Sequence, residues 1–129
     1  MVLVDTSSWI HFLRPDGDSA VQARVDGLLR AGTACWCPLV RLELWNGAGG
    51  ERERKVLREF ERLVPELAIT ADVWNEACDL ARRCRAGGVT VPATDLLIAA
   101  CARHHGAQLE QSDADFEAIA RVSSHGAAE

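Results

Sequence analysis

Positive charge is in deficit in this sequence. Fourteen lysines and arginines face nineteen aspartates and glutamates, a formal net charge of −5, whereas a long polyanion held non-specifically normally meets a surplus of positive charge. A carboxylate cluster neutralised by divalent ions would account for much of that balance without repelling a phosphate-bearing partner. Lysine itself is nearly absent: Lys55 is the single one and the other basic residues are arginines, which make planar, forked contacts to phosphate oxygens. No uninterrupted apolar run approaches the roughly 18 residues of a membrane span. Met1-Val2-Leu3-Val4 meets Asp5 before a signal-peptide core could form, and a cytoplasmic location is expected. Paired cysteine spacing is missing too. Cys35, Cys37, Cys78, Cys84 and Cys101 are odd in number and lie in apolar segments, so reduced core residues are expected. Cys35-Trp36-Cys37 has neither a second pair nor a nearby histidine to complete a zinc site. Internal repeats and low-complexity segments are absent as well.

With 129 residues, 48% of them hydrophobic, the chain holds material for one core and not for two. Met1 to Val4 reads as a strand. After Asp5 and Thr6-Ser7-Ser8 comes a helix with Trp9, Ile10 and Leu13 on one face. Pro15-Asp16-Gly17 breaks it, and a second helix starts near Asp18 or Ser19 and closes at Gly32. Thr33 to Cys37 is strand-like, and Pro38 opens a helix that ends at Asn46-Gly47. A charged helix, Glu51 to Val64, carries Val56, Leu57, Phe60, Leu63 and Val64 as one stripe. Leu67 to Ile69 is a brief strand candidate. Thr70 then caps a helix marked by Val73, Ala77, Leu80, Ala81 and Cys84. Past Gly87-Gly88, Asp95 leads the central helix Leu96 to His105, followed by a strand from Ala107 to about Gln111. A last helix opens at Ser112-Asp113-Ala114-Asp115 and runs through Ile119. Strands alternating with helices predict an α/β fold: one three-layer domain over residues 1–122, with a short parallel sheet flanked by helices on both faces. Residues 123–129, small and polar, are expected as a flexible tail.

In such a sheet ligands collect beyond the carboxyl ends of the strands. Asp5 and Asp113 sit there, after the first and last strands. Asp95 begins the central helix, and Glu43 lies on the helix after the second strand. Helical geometry puts Glu43 on a face with Leu39, Val40, Asn46 and Gly47, and no lysine or arginine occupies that face. A carboxylate aimed along an apolar stripe stays ionised through a partner or a metal. Several carboxylates around Mg²⁺ or Mn²⁺ constitute a phosphodiesterase centre, because the hard cation takes oxygen ligands and lowers the pKa of a water. Taken singly, Asp5, Asp95 and Asp113 are also ordinary helix caps, and Asp115 serves as a first-turn acid as readily as a ligand. The four acids at matching ends of elements are harder to explain that way.

These residues are where the chain resembles the PIN-domain ribonucleases and, within them, the VapC toxins of bacterial toxin–antitoxin pairs. The resemblance is carried by Val4-Asp5-Thr6-Ser7-Ser8-Trp9-Ile10, by Leu42-Glu43-Leu44, by Asp95-Leu96-Leu97-Ile98-Ala99-Ala100-Cys101-Ala102 and by Asp113-Ala114-Asp115-Phe116, in order and over essentially the whole chain. It implies a Mg²⁺-dependent endoribonuclease, with Mn²⁺ as substitute, in which Asp5, Glu43, Asp95 and Asp113 are the metal-binding and catalytic acids. Asp115 matches an accessory acid, and Thr6 and Ser7 match hydroxyls of the centre. It also implies an RNA substrate such as tRNA or ribosomal RNA, a homodimer, and inhibition by a VapB-type antitoxin. One stretch departs from the family pattern: Glu110 stands where an apolar residue is common, and Gln111 where threonine or histidine is common. A charge in that strand predicts a sheet edge.

Other features have plainer readings beside functional ones. The alternating charges of Glu51 to Arg62 fit a solvated helix face, although RNA or partner contact is open to them. Arg82-Arg83-Cys84-Arg85 is an uncompensated basic run suited to nucleic acid, at a helix end that favours cations in any case. His11 reads as a surface or interface residue, His104 and His105 as helix-terminal residues, and Trp9, Trp45 and Trp74 as core or dimer packing residues rather than base-stacking ones. An aspartyl-phosphate mechanism on Asp5 is disfavoured, since position 7 is Ser7 and the single lysine is remote in sequence. A catalytically silent protein-binding module is the alternative of a different class.

Overall fold

The computed structural model describes residues 1–128, with side chains described through Ser123. Three strands, β1 (Val2–Val4), β2 (Ala34–Cys35) and β3 (Gln108–Glu110), form a parallel sheet in the order β2-β1-β3. Val2 and Leu3 pair with Ala34 and Cys35 on one side, and Val2, Leu3 and Val4 with Gln108, Leu109 and Glu110 on the other. β3 is therefore an edge, as its charged residue requires: the Glu110 carboxylate leaves the sheet to meet Arg24 at 2.7 Å.

Seven helices flank the sheet on both faces among the described residues: α1 (Thr6–Leu13), α2 (Ser19–Arg30), α3 (Pro38–Gly47), α4 (Glu51–Leu63), α5 (Ala71–Ala86), α6 (Ala93–His104) and α7 (Ala114–Ala128). The α/β domain is the one expected, and its departures are local. Leu67 to Ile69 does not form a strand. A single bridge joins Trp36 to Glu66, because the chain pairs once with the residue beyond β2 and turns away toward Thr70, whose hydroxyl accepts from Val73 N–H. α6 begins two residues before Asp95: Pro92, extended, offers its carbonyl to the N–H groups of Asp95 and Leu96. α7 continues past Ile119 to Ala128, through most of the segment expected as a tail, while Glu129 lies outside the described residues.

The apolar stripes settle the core. Trp9 and Trp36 are fully buried and meet Phe60 with ring centroids 5.2 and 6.5 Å away, so α1, the end of β2 and α4 share one aromatic cluster. α6 buries Leu96 through Ala102 without interruption and packs on α3, α5 and α7, the central place its all-round apolarity predicts. Four cysteines are buried and free, whereas Cys78 is exposed. It follows the buried Val73-Ala77-Leu80-Cys84 face of α5 by one residue, and a 100° step turns it to solvent.

Candidate metal centre

Asp5 stands one residue beyond β1, its N–H donating to the Glu110 carbonyl at 2.9 Å, so the sheet itself fixes where the side chain starts. Its carboxylate caps α1, accepting from Ser7 N–H at 3.1 Å and from Ser7 Oγ at 2.5 Å. The capping reading of Asp5 is thus correct, and it does not exhaust the residue. Asp5 is buried. Burial raises its pKa above the ordinary value, the Ser7 hydrogen bonds oppose the rise, and Asp113 adds to it. Ser7 Oγ in turn receives a hydrogen bond from Ser112 Oγ at 3.1 Å. A hydroxyl pair therefore ties the segment before α7 to Asp5.

Asp95 occupies the first turn of α6, half-buried. Its carboxyl is pushed up to about 7, first by burial, then by a hydrogen bond shared with Asp115, then by the charges of Asp113, Asp5 and Asp115. The charges of Asp5, Asp113 and Asp115 thus all act on this residue. Asp113 caps α7, its Oδ1 accepting from Asp115 N–H at 2.9 Å, and Gln111 Oε1 accepts from Asp113 N–H at 2.7 Å. Asp95, Asp113 and Asp115 each present a carboxylate oxygen within 4.8 Å of the others.

Glu43 is placed differently. Its Oε1 accepts from Thr6 Oγ1 at 2.8 Å, so it is joined to the residue after Asp5, but it is not one of the three clustered carboxylates. Of the face predicted for it, Val40 is buried and Leu39 half-buried, whereas Asn46 and Gly47 are exposed, and a threonine hydroxyl supplies its partner. Among the described residues, none of Asp5, Glu43, Asp95, Asp113 and Asp115 forms a salt bridge with lysine, arginine or histidine.

Close carboxylates lacking a cationic side chain repel one another, which adds to the burial that holds the Asp95 proton so high. The donor set is all oxygen and suits Mg²⁺, Mn²⁺ or Ca²⁺ better than a thiolate-seeking ion. Sequence reasoning underweighted Asp115 and missed Ser112. Two residues of separation at the start of a helix gave no sign that Asp115 would reach Asp95, and the Ser7 contact of Ser112 spans 105 positions.

The model of the PIN domain family matches residues 2–122. The chain is 33% identical over 131 residues to ribonuclease VapC11 of Mycobacterium tuberculosis, covering 99% of this chain and 98% of that one. In structure it is similar to the toxin–antitoxin complex from Klebsiella pneumoniae, with a TM-score of 0.74 at 17% identity over 90% of each chain. It is also similar to the sarcin-ricin loop cleaving toxin VapC20 of Mycobacterium tuberculosis, with a TM-score of 0.68 at 23% identity over 92% of this chain and 94% of that one. With the family model matching residues 2–122 and a relative 33% identical over nearly the whole of both chains, the chain belongs to the PIN-domain family, among the VapC ribonucleases.

Proposed function

We propose that this chain is the toxin of a toxin–antitoxin pair and acts as a Mg²⁺- or Mn²⁺-dependent endoribonuclease, with tRNA or ribosomal RNA as substrate class. The observation that carries the reading is the meeting of Asp95, Asp113 and Asp115 within 4.8 Å, with Asp5 close enough to add its charge to Asp95. Asp95, Asp113 and Asp115 would hold the ion, and Asp5 would stand beside it, oriented by Ser7. When bound, such an ion supplies Lewis acidity to the scissile phosphate and makes hydroxide available near neutral pH.

The remaining roles follow from the hydrogen bonds. Thr6 fixes Oε1 of Glu43, leaving Oε2 to orient a water toward phosphorus. Ser7 and Ser112 hold Asp5 in one rotamer. The Gln111 amide oxygen and the Asp113 cap set the start of α7, so that Asp113 and Asp115 point back at Asp95.

A VapB-type antitoxin is the proposed inhibitor, since the chain resembles toxins solved as such complexes. A homodimer in the cytoplasm is the proposed working form. No described helix is long and apolar enough to cross a membrane. The test is cleavage of bulk tRNA and ribosomal RNA by the purified chain freed of any partner. Asp5→Asn is expected to abolish Mn²⁺-dependent cleavage while retaining the fold by circular dichroism, and cleavage by Asp5→Asn at the wild-type rate would refute the assignment. Calorimetric titration with Mn²⁺ separates the silent binding module, which takes up no ion.

A further inference from the structure

A polyanion approaching an acidic cluster needs cations placed beside it, and most arginines here are already engaged. Arg54 and Arg58 on α4 pair with Glu51, Arg41 with Glu61 and Glu66, Arg24 with Glu110, Arg30 with Asp26 and Arg103 with Glu76. The charged helix α4, a candidate RNA surface by sequence, thus spends part of its charge internally. Arg52 and Arg62 of α4 are left without a carboxylate partner among the described residues, and so are two arginines at the end of α5. Arg82 pairs with Asp79, whereas Arg83 and Arg85 have no carboxylate partner among the described residues.

Arg85 also faces a cavity. Past α5 the chain folds back through a turn in which Gly88 has φ +73° and Val89 N–H donates to the Cys84 carbonyl at 2.8 Å, a glycine-dependent helix ending. The returned segment leaves a cavity of about 310 Å³ lined by Arg82 and Arg85 of α5, by Val89, Thr90 and Val91, and by Leu96 of α6. That volume is at the lower end of the roughly 300–1,000 Å³ typical of small-ligand sites. Leu96 follows Asp95 directly, so the cavity adjoins the first turn of α6, which carries one acid of the centre. Arg14 lines another cavity, of about 570 Å³ between α1 and α2, but there the lining includes the carboxylate of Asp26, which a phosphate would meet as well.

The geometry points to this cavity as a substrate subsite that takes one nucleotide of the RNA strand next to the scissile bond. The phosphate lies on Arg85, with Arg82 assisting, the base against Val89, Val91 and Leu96, and the Thr90 hydroxyl within the same pocket for a sugar or base edge. Helix-end cations are favoured by the dipole alone, yet the dipole does not explain a cavity lined jointly by arginine, apolar side chains and a threonine. The inference rests on the ribonuclease reading and adds a place where the strand is held.

The experiment measures Kd for bulk tRNA at several salt concentrations, using the full chain carrying Asp5→Asn so that the RNA is not consumed. Adding Arg85→Glu is expected to raise Kd about tenfold, the scale of one lost charge-assisted contact, and to lower the slope of log Kd against log salt by about one. Arg85→Gln, which is milder should the reversal disturb folding, is expected to move both in the same direction. Arg52→Glu on α4 makes the same change in net charge and is expected to leave Kd near that of the Asp5→Asn chain. An unchanged Kd, an equal loss from Arg52→Glu, no tRNA binding with Arg85 intact, or a loss confined to antitoxin capture would each overturn the subsite. Cleavage by the wild-type chain, run in parallel, reports on the ribonuclease reading separately.

Discussion

Asp95 is the residue on which the electrostatics of this molecule converge. Its carboxyl ionises at an ordinary value of 3.8 when the chain is unfolded and at about 7 in the folded chain, so the folded state holds the extra proton between those values. Its contribution to stability is full below 3.8 and is lost as pH rises through about 7. Asp5, also raised, acts in the same direction. The chelated protein should therefore melt at higher temperature on the acid side of 7 than on the alkaline side, and Asp95→Asn should flatten that slope. Melting curves with the same pH slope in both proteins would remove Asp95 from the cluster. Because ion and proton compete for Asp95, Mn²⁺ affinity should fall as pH drops below about 7, which calorimetry at a series of pH values measures.

Ser112 gives a second test at this scale. Its hydroxyl reaches Asp5 only through Ser7, so Ser112→Ala should lower kcat several-fold, in keeping with the roughly 0.5–1.5 kcal/mol of one hydrogen bond. Melting temperature and KM should hardly move, and Ser112→Thr should restore the rate. An equal loss from both substitutions would assign Ser112 a packing role instead.

At the level of elements, stability resides on the helix faces that the periodicity marked. Leu80 is buried on the α5 face, whereas Trp74 of the same helix is 55% exposed. Leu80→Ala should cost about 2–5 kcal/mol in denaturant unfolding, and Trp74→Ala should stay within about 0.5 kcal/mol. Similar losses from the two would mean that α5 packs through a different face. The helices and the two outer acids after strands were legible because Pro38, Thr70, Gly32 and Gly88 punctuate the chain and the apolar spacing between them is regular. The edge position of β3 was legible in Glu110. Leu67 to Ile69 misled because an apolar triplet has no period of its own, and whether it pairs depends on where β2 ends. Cys78 was misplaced by composition, where its position one residue off the stripe would have turned it outward. The links from Thr6 to Glu43, from Ser7 to Ser112 and from Asp95 to Asp115 depend on side-chain reach across elements far apart in sequence, which no local pattern encodes.

For the molecule as a whole, a net charge of −5 is compatible with the proposed nucleic-acid substrate because the negative charge is partly concentrated where the proposed cation would enter. The centre is assembled from the ends of β1 and β3 and the first turns of α6 and α7, with α3 joined through Thr6, so folding of the whole domain is needed to build it. The measurement that bears most directly on this account is RNA cleavage by the purified, partner-free chain with chelator, then with Mn²⁺ restored in excess. Loss of cleavage in chelator, its return with Mn²⁺, and no return for Asp95→Asn or Asp113→Asn are the predicted results. Cleavage that continues undiminished in chelator, or that Mn²⁺ restores equally in those variants, would contradict the metal centre proposed for these acids.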